Sequence, residues 1–222
     1  MKVQAILFFS VLILLPSCKD DNEVLLTSYL TCPDNNHPHP IDLGLPSGTK
    51  WACCNVGATD PEDYGGYFAW GEIEEKDYYD ESTYKYCNDN GEFFNHIGND
   101  IAGSKYDVAH MKWGGEWCMP TDYQQRELRE NCSCKWTIQK GVDGLLIVGS
   151  NGGTIFLPAA GDRLCDYFNN KGVSGSYLSS SLNPNDENFA YHLWFDTNKQ
   201  SWKFSYGYSI RYKGVTVRAI SK

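Results

Sequence analysis

Three cysteines in residues 113–134, "WGGEWCMPTDYQQRELRENCSC", are the first side chains whose chemistry could define a site. Together with Cys165, they raise the question of a zinc or thiol-redox centre. Zinc ligands usually occur in pairs about two to four residues apart, and redox cysteines in C-x-x-C motifs. Cys132 and Cys134 have a single residue between them, and Cys118 lies on the other side of a predicted helix. We therefore predict that these cysteines pack as thiols or form one disulfide, with no metal site and no cofactor.

Three other polar stretches have weaker patterns. His37 and His39 in "HPHP" have no carboxylate close by in the sequence, and we interpret them as linker residues. Residues 183–187, "NPNDE", offer oxygen ligands of the kind calcium prefers, but an Asn-Pro turn is the preferred interpretation. The glutamates in residues 72–75 could form a glycosidase pair, yet the run "GEIEEKDYYDE" is more typical of a solvated acidic loop.

Motifs of common enzyme classes are missing from the chain. It has no G-x-S-x-G elbow, no H-E-x-x-H and no phosphate-binding glycine loop. The formal net charge of −9 argues against general binding of nucleic acid, which requires basic patches. We therefore expect a protein that is not an enzyme and that has no affinity for nucleic acid.

The aromatic residues of the last third favour a binding surface. In "FAYHLWF", strand alternation places Tyr191, Leu193 and Phe195 on a core face, so that His192 and Trp194 face outward. Exposed Tyr, Trp and Arg among Ser, Asn and Gly is a mixture typical of recognition surfaces. The predicted ligand-binding residues are His192, Trp194, Trp202, Tyr206, Tyr208, Arg211 and Tyr212.

The elements that must position these residues are mostly strands. The 222 residues include 14% aromatics and 21 Gly, which suits a β- and loop-rich domain. Thr121 followed by Gln124 forms a capping box and predicts a helix that ends near Asn131, and residues 107–111 predict one helical turn. Residues 73–106 are interpreted as a long surface excursion. Strands are predicted at 135–139, 144–148, 154–157, 176–179, 189–195, 201–205 and 215–220.

The first residues indicate export. Residues 5–15, "AILFFSVLILL", form an apolar run that is too short to cross a bilayer, which needs about twenty helical residues, and has the length of a secretory signal. The following "LPSC" resembles the lipobox of bacterial lipoproteins, in which the cysteine, here Cys18, is lipidated with palmitate-type chains. "KDD" after Cys18 resembles the export tag of surface-exposed Bacteroidetes lipoproteins. The prediction is a signal peptide at 1–18, a flexible tether at 19–40 and one domain at 41–222, held at the outer membrane.

Four stretches carry a family resemblance: "DLGLPSGTKWACCNVGA", "EDYGGYFAWGE", "WGGEWCMPTDYQQREL" and "FLPAAGDR". They resemble the Fibrobacter succinogenes major paralogous domain family. The resemblance implies an α+β, C-type lectin-like fold shared with formylglycine-generating enzymes, with a twisted antiparallel sheet, one or two short helices and long binding loops. The family usually has Arg where this chain has Cys118, and Thr or Ser where it has Cys53.

The resemblance also bears on function. Some relatives of this fold are variable proteins of diversity-generating retroelements, and their "G-x-[ST]-V-R" ending is similar to "KGVTVRAI" at residues 213–220. We expect a lipid-anchored cell-surface protein that binds a protein or glycan ligand through its C-terminal loops. The alternatives are a divergent enzyme of the formylglycine-generating type or a glycan-processing accessory, and a structural surface or fimbria-like component.

Overall fold

The regular structure is mostly antiparallel β-sheet with few helices. The computed structural model describes residues 32, 34–88, 94–197 and 205–221, and for Ser205 and Tyr206 it describes the backbone only. The predominance of antiparallel strands over helices agrees with the predicted α+β class and would also fit a mainly-β class. Cys18 and the predicted signal peptide lie outside the described residues.

Twelve strands and two α-helices are present in the described residues, together with a 3₁₀ turn at Glu81–Thr83. The helices are α1 (Val108–Trp113) and α2 (Asp122–Asn131). The strands are β1 (Pro40–Asp42), β2 (Lys50–Ala52), β3 (Trp117–Cys118), β4 (Ser133–Gln139), β5 (Val142–Val148), β6 (Thr154–Pro158), β7 (Asp162–Leu164), β8 (Tyr167–Asn169), β9 (Ser174–Leu182), β10 (Phe189–Asp196), β11 (Ser205–Ile210) and β12 (Ile220–Ser221).

The strands form four antiparallel sheets. The first has the order β1-β2-β12-β3, so Ile220 of β12 pairs with Trp51 on one side and Cys118 on the other. The second has the order β11-β10-β9, the third β4-β5-β6, and β7 pairs with β8 alone. Two residues of β10 are buried in the hydrophobic core: Leu193 lies in one core cluster, and Ala190 lies in a second one.

Both predicted helices are confirmed, and each has a side-chain cap. The hydroxyl of Thr121 accepts from the Gln124 N–H, and the Gln124 side chain accepts from the Thr121 N–H, which completes the capping box of α2. Helix α1 begins after Asp107, whose carboxylate accepts from the first turn, and it extends to Trp113 rather than Met111. None of the helices in the described part of the chain is long and apolar enough to cross a bilayer.

The strand predictions at 135–139, 144–148, 154–157, 176–179 and 189–195 are confirmed, with bounds that extend by up to three residues. The prediction at 215–220 is wrong, because Val215 and Thr216 make only isolated bridges and the strand is limited to Ile220 and Ser221. Residues 201–204 lie outside the described residues, and the strand predicted there is observed from Ser205 onward.

The interpretation of residues 73–106 as a surface excursion is right in part: the described residues of this segment are mostly exposed or half-buried and include no strand or α-helix, but a few side chains anchor it in the core. Tyr79, Tyr84, Phe94 and Ile101 in this segment are buried, and the first three form an aromatic core cluster with Ala69. The segment has few aliphatic residues because tyrosine and phenylalanine rings supply its apolar area instead.

The C-terminal segment "KGVTVRAI" forms part of the buried core. All side chains from Val215 to Ile220 are buried, including the guanidinium of Arg218. Arg218 donates to the Asn55 Oδ1 at 2.8 Å and to the backbone oxygens of Ala52, Cys53 and Phe156 at 3.0, 2.7 and 2.7 Å. Burial lowers the pKa of Arg218 from its usual range. This side chain therefore joins the end of β2 to β6 through hydrogen bonds.

No disulfide joins any two cysteines of the described residues. Cys118, Cys132 and Cys134 pack into or against the core cluster that contains Leu128 of α2, as small apolar side chains do. Cys165 lies apart from them, in an isolated bridge with Tyr79.

Candidate functional site

The hairpin of β10 and β11 carries most of the predicted ligand-binding residues. Tyr191 lies directly opposite Tyr208, and their ring centroids are 5.0 Å apart. The Tyr208 side chain is 50% exposed. These two rings form one continuous aromatic surface on the hairpin.

Tyr191 was predicted to lie in the core beside Leu193 and Phe195, but it is only half-buried whereas they are buried. The pairing of β10 with β9 shifts register between Ala190 and His192, which marks a β-bulge. The extra residues lie on β9, since the step from Ala190 to His192 on β10 spans Leu182 to Leu178 on β9. Pairing of β10 with β11 is regular, so Tyr191 keeps the strand face that alternation gives it, but it is half-buried there and its ring contacts that of Tyr208 at a tilt of 46°.

His192 and Trp194 were predicted to face outward, but both are half-buried. The His192 Nδ1 lies 2.8 Å from the Ser176 Oγ on β9, and Gly207 on β11 leaves room for the other edge of the ring. Burial lowers the pKa of His192 to about 4, and the positive charge of Lys213 acts in the same direction. The ring is therefore neutral near pH 7 and packs within the sheet.

Arg211 was predicted to be displayed, and this prediction is wrong. The side chain is fully buried, with its guanidinium over the Trp70 ring at 4.8 Å. It donates to the Tyr84 hydroxyl at 3.0 Å, the Asn95 oxygen at 2.9 Å and the Glu187 oxygen at 3.2 Å. Five fixed donors make arginine suitable for holding several carbonyl groups at once, which is a positioning role.

The remaining predicted residues divide into two groups. Tyr212 is half-buried and packs edge-to-face on Phe94, with ring centroids 6.1 Å apart. Trp202 and the side chain of Tyr206 lie outside the described residues. Of the seven, Tyr208 is the residue that the described structure displays most clearly.

An open groove of about 490 Å³ lies beside this hairpin. It runs between the start of α2, the end of β9 and the turn that follows. The residues that line it are Asn99, Asp122, Ser181, Leu182, Pro184, Glu187 and Tyr191. One aromatic ring therefore borders a surface that is rich in carboxylate and amide groups.

The polar side chains of the groove are held in place by neighbours. Asp122 Oδ1 accepts from the Ser181 Oγ at 3.1 Å, and Glu187 Oε2 lies 3.3 Å from the His96 Nδ1. A carboxylate has about four acceptor positions, so each group can also accept from a ligand hydroxyl. The groove can therefore offer acceptors, of which the Asp122 carboxylate is held more firmly than that of Glu187, whose side chain is more than half exposed.

The stretch at 183–187 forms one rim of this groove as a turn, which confirms the preferred interpretation. Asn183 Oδ1 accepts from the Asn185 N–H, and Asp186 Oδ1 accepts from the Asn188 N–H, both at 3.0 Å. Arg211 holds this rim through Glu187 and the facing loop through Asn95. The residue predicted to contact a ligand is thus a buried support for the loops beside the groove.

A second constellation brings together Cys32, His37, His39 and Cys53, whose ligand atoms all lie within 4.8 Å of one another. The His37 Nδ1 is 3.0 Å from the Cys32 Sγ and 3.3 Å from the Cys53 Sγ. The His39 Nδ1 is 3.3 Å and 3.8 Å from the same two sulfurs. The interpretation of both histidines as linker residues is therefore corrected, because they pack against Cys53 at the end of β2.

We call these four residues the Cys–His cluster, and neighbouring groups hydrogen-bond to two of its members. The His39 Nε2 lies 3.1 Å from the Asp34 Oδ1, and the His39 backbone N–H donates to the Cys53 Sγ at 3.0 Å. Hydrogen bonding from the Cys54 thiol, followed by that of His39, lowers the pKa of Cys53 to about 4. Burial raises the pKa of Cys32 to about 12.

Sequence reasoning missed this cluster for a specific reason. The local signal is Cys32 followed by two histidines in "CPDNNHPHP", but the fourth member, Cys53, lies fourteen residues beyond His39. Pairing of β1 with β2 brings that residue back, since Pro40 is aligned with Ala52. The register between β1 and β2 therefore brings the fourth ligand to the cluster, which the spacing of the residues along the sequence does not show.

Comparison with known proteins leaves the groove and the Cys–His cluster as the basis for function. The predicted resemblance to the paralogous domain family stays a prediction. A scan against protein-family models, a search of the curated proteins and a search of the solved structures each find no match.

Proposed function

We propose that this chain is a lipid-anchored cell-surface protein that binds a neutral glycan in the groove beside Tyr191. In this proposal the domain is C-type lectin-like and has no enzymatic activity. The observation that carries the proposal is the meeting of an aromatic ring with carboxylates in one open groove.

The chemistry of the groove suits a sugar. Binding sites combine an apolar or aromatic wall with a few placed polar groups. The C–H face of a sugar ring can pack on Tyr191, and its hydroxyls can donate to the oxygens of Asp122 and Glu187. Tyr208 contacts Tyr191 with its ring tilted by 46° and limits the freedom of that ring before a ligand binds.

The charge of the groove selects against anionic ligands. Asp122 and Glu187 both line it, and the whole chain has a formal net charge of −9. Like charges that face each other in a binding site cost affinity and slow association. A neutral glycan avoids this repulsion, whereas a sulfated or sialylated one meets it.

The proposed lectin-like fold has two supports. The resemblance covers residues 41–222, and the described structure has the antiparallel sheets, two short helices and long connections that such a domain requires. The non-enzymatic assignment rests on the missing enzyme motifs.

Removing either ring of the Tyr191–Tyr208 pair should weaken glycan binding. We expect Tyr191→Ala to reduce affinity for a neutral glycan by about ten- to thirtyfold, roughly 2 kcal/mol for a central aromatic contact. Tyr208→Ala should reduce it by a smaller factor, because Tyr208 acts through its contact with Tyr191 and does not line the groove. Binding is measured first on an array of neutral, sulfated and sialylated glycans, and then by titration of the best neutral one.

Tyr167→Ala is the matched control, since Tyr167 on β8 is 67% exposed and does not line the groove. It should leave binding unchanged. Binding of anionic glycans alone, of protein ligands alone, or equal affinity in all three variants would each contradict the proposal.

The anchor has its own test at Cys18. We expect Cys18→Ala to move the protein from the membrane fraction to the soluble fraction, because the lipid chains that hold it at the bilayer can no longer be attached. Cell fractionation with metabolic labelling by a palmitate analogue measures the change. Ser17→Ala serves as control, and a Cys18→Ala protein that stays in the membrane would disprove lipid anchoring.

A further inference from the structure

We propose that Cys32, His37, His39 and Cys53 form a tetrahedral Zn²⁺ site. Two thiolates and two imidazoles are a ligand set that zinc prefers, and structural zinc sites are closed by four protein ligands. The site shares no residue with the glycan groove, so the two proposals stand or fall separately.

The spacing of the ligand atoms fits the ion. With Zn–S near 2.3 Å and Zn–N near 2.05 Å, tetrahedral geometry requires S···N separations of about 3.6 Å. The four S···N separations in the Cys–His cluster are 3.0, 3.3, 3.3 and 3.8 Å. A small outward movement of the side chains therefore opens room for the metal at the centre.

The surrounding groups match what zinc ligands need. A ligating histidine usually donates its other ring N–H to a carboxylate, which fixes the tautomer. His39 directs its Nδ1 to the cluster, and its Nε2 lies 3.1 Å from the Asp34 Oδ1. The Cys53 sulfur accepts the His39 backbone N–H, which suits a negatively charged thiolate.

The cluster also has an entry path. A cleft of about 380 Å³ is lined by Cys32, His37 and Cys53 of the cluster, and by Asp34 beside it. A metal ion can therefore reach the site from solvent while the domain stays folded.

The position of the site assigns it a structural role. Cys32, His37 and His39 precede β1, whereas Cys53 follows β2, so the ion would fasten the segment before the first strand to the body of the domain. With four protein ligands no position stays open for substrate.

Zinc content tests the proposal directly. The full chain is purified under reducing conditions without chelator, and zinc and protein are measured together by elemental mass spectrometry. We expect one equivalent of zinc per chain. Cobalt added to the chelator-treated protein should give a tetrahedral spectrum with thiolate-to-cobalt charge transfer.

Variants assign the ligands. Cys32→Ser and His37→Ala should lose the equivalent of zinc and the charge-transfer band. The Asp34 side chain is exposed, so Asp34→Asn should leave folding intact. Zinc affinity should fall by about ten- to a hundredfold, because the carboxylate that orients the His39 ring is lost. Cys165→Ser and His110→Ala, which change a cysteine and a histidine outside the cluster, should retain full zinc content.

Several outcomes would overturn the site. These are zinc well below one equivalent in reduced protein, a cobalt spectrum without the thiolate band, and Asp34→Asn affinity equal to wild type. A Cys32–Cys53 disulfide in the freshly purified protein, with no bound metal, would likewise reject zinc and show that the two sulfurs serve as a covalent link.

Discussion

Arg218→Met should lower the free energy of unfolding by about 4 kcal/mol, because it leaves several buried acceptors without donors. Arg218 supplies hydrogen bonds to Asn55 and to the backbone oxygens of Ala52, Cys53 and Phe156. Methionine fills a similar volume but donates nothing. At about 2–4 °C per kcal/mol for a domain of this size, the melting temperature should fall by roughly 8–16 °C.

Two controls separate charge from hydrogen bonding. Arg218→Lys retains the positive charge but lacks the planar fork, so it should recover only part of the loss. Arg126→Met makes the same substitution as the test variant at a half-exposed pair with Asp122 and should change stability by less than about 0.5 kcal/mol. Urea denaturation measures all three, and an Arg218→Met protein as stable as wild type would refute the role assigned to this side chain.

Asp107→Asn should cost about 3 kcal/mol although it changes a single atom. The buried carboxylate accepts four backbone N–H groups, those of Ala109 and His110 on Oδ1 and those of Gly103 and Met119 on Oδ2. An amide offers one acceptor oxygen, so its NH₂ group faces two N–H donors in either orientation. Each buried donor left unpaired costs about 1–3 kcal/mol.

The same substitution at an exposed cap provides the comparison. Asp80 caps the 3₁₀ turn by accepting from the Thr83 N–H at 2.9 Å, and asparagine caps as well as aspartate at such positions. Asp80→Asn should therefore stay within about 0.5 kcal/mol of wild type. Equal effects at the two positions in urea denaturation would show that burial of Asp107 is not what makes its hydrogen bonds important.

Much of the fold could be predicted from local signals. The Thr121–Gln124 capping box fixes the start of α2, alternating apolar residues identify β4, and a continuous apolar run identifies β5. Residues 215–220 were misassigned because their apolar pattern reflects complete burial, which does not require a strand. The core anchors of the long acidic segment were missed because buried tyrosines such as Tyr79 and Tyr84 do not differ in sequence from exposed ones.

The candidate sites were harder to predict because long-range pairing assembles them. Tyr208 could be recognised as an exposed aromatic residue of a strand, but its contact with Tyr191 depends on the register between β10 and β11, which the sequence does not mark. Arginine is a residue type that often contacts ligands, but the guanidinium of Arg211 donates instead to the backbone oxygens of Glu187 and Asn95 in two loops. Cys53 meets the histidines only through the β1–β2 register.

The place of β12 between β2 and β3 has a consequence for the order of folding during synthesis. Chains emerge from the ribosome at about 5–20 residues per second, so the roughly 100 residues from Cys118 to Ile220 take on the order of 5–20 s. During that interval β2 and β3 exist without the strand that joins them, and the acceptors of Arg218 lack their donor. The first sheet therefore cannot reach its full order until residue 221 has been made, although the β4-β5-β6 sheet contains no strand from that end of the chain.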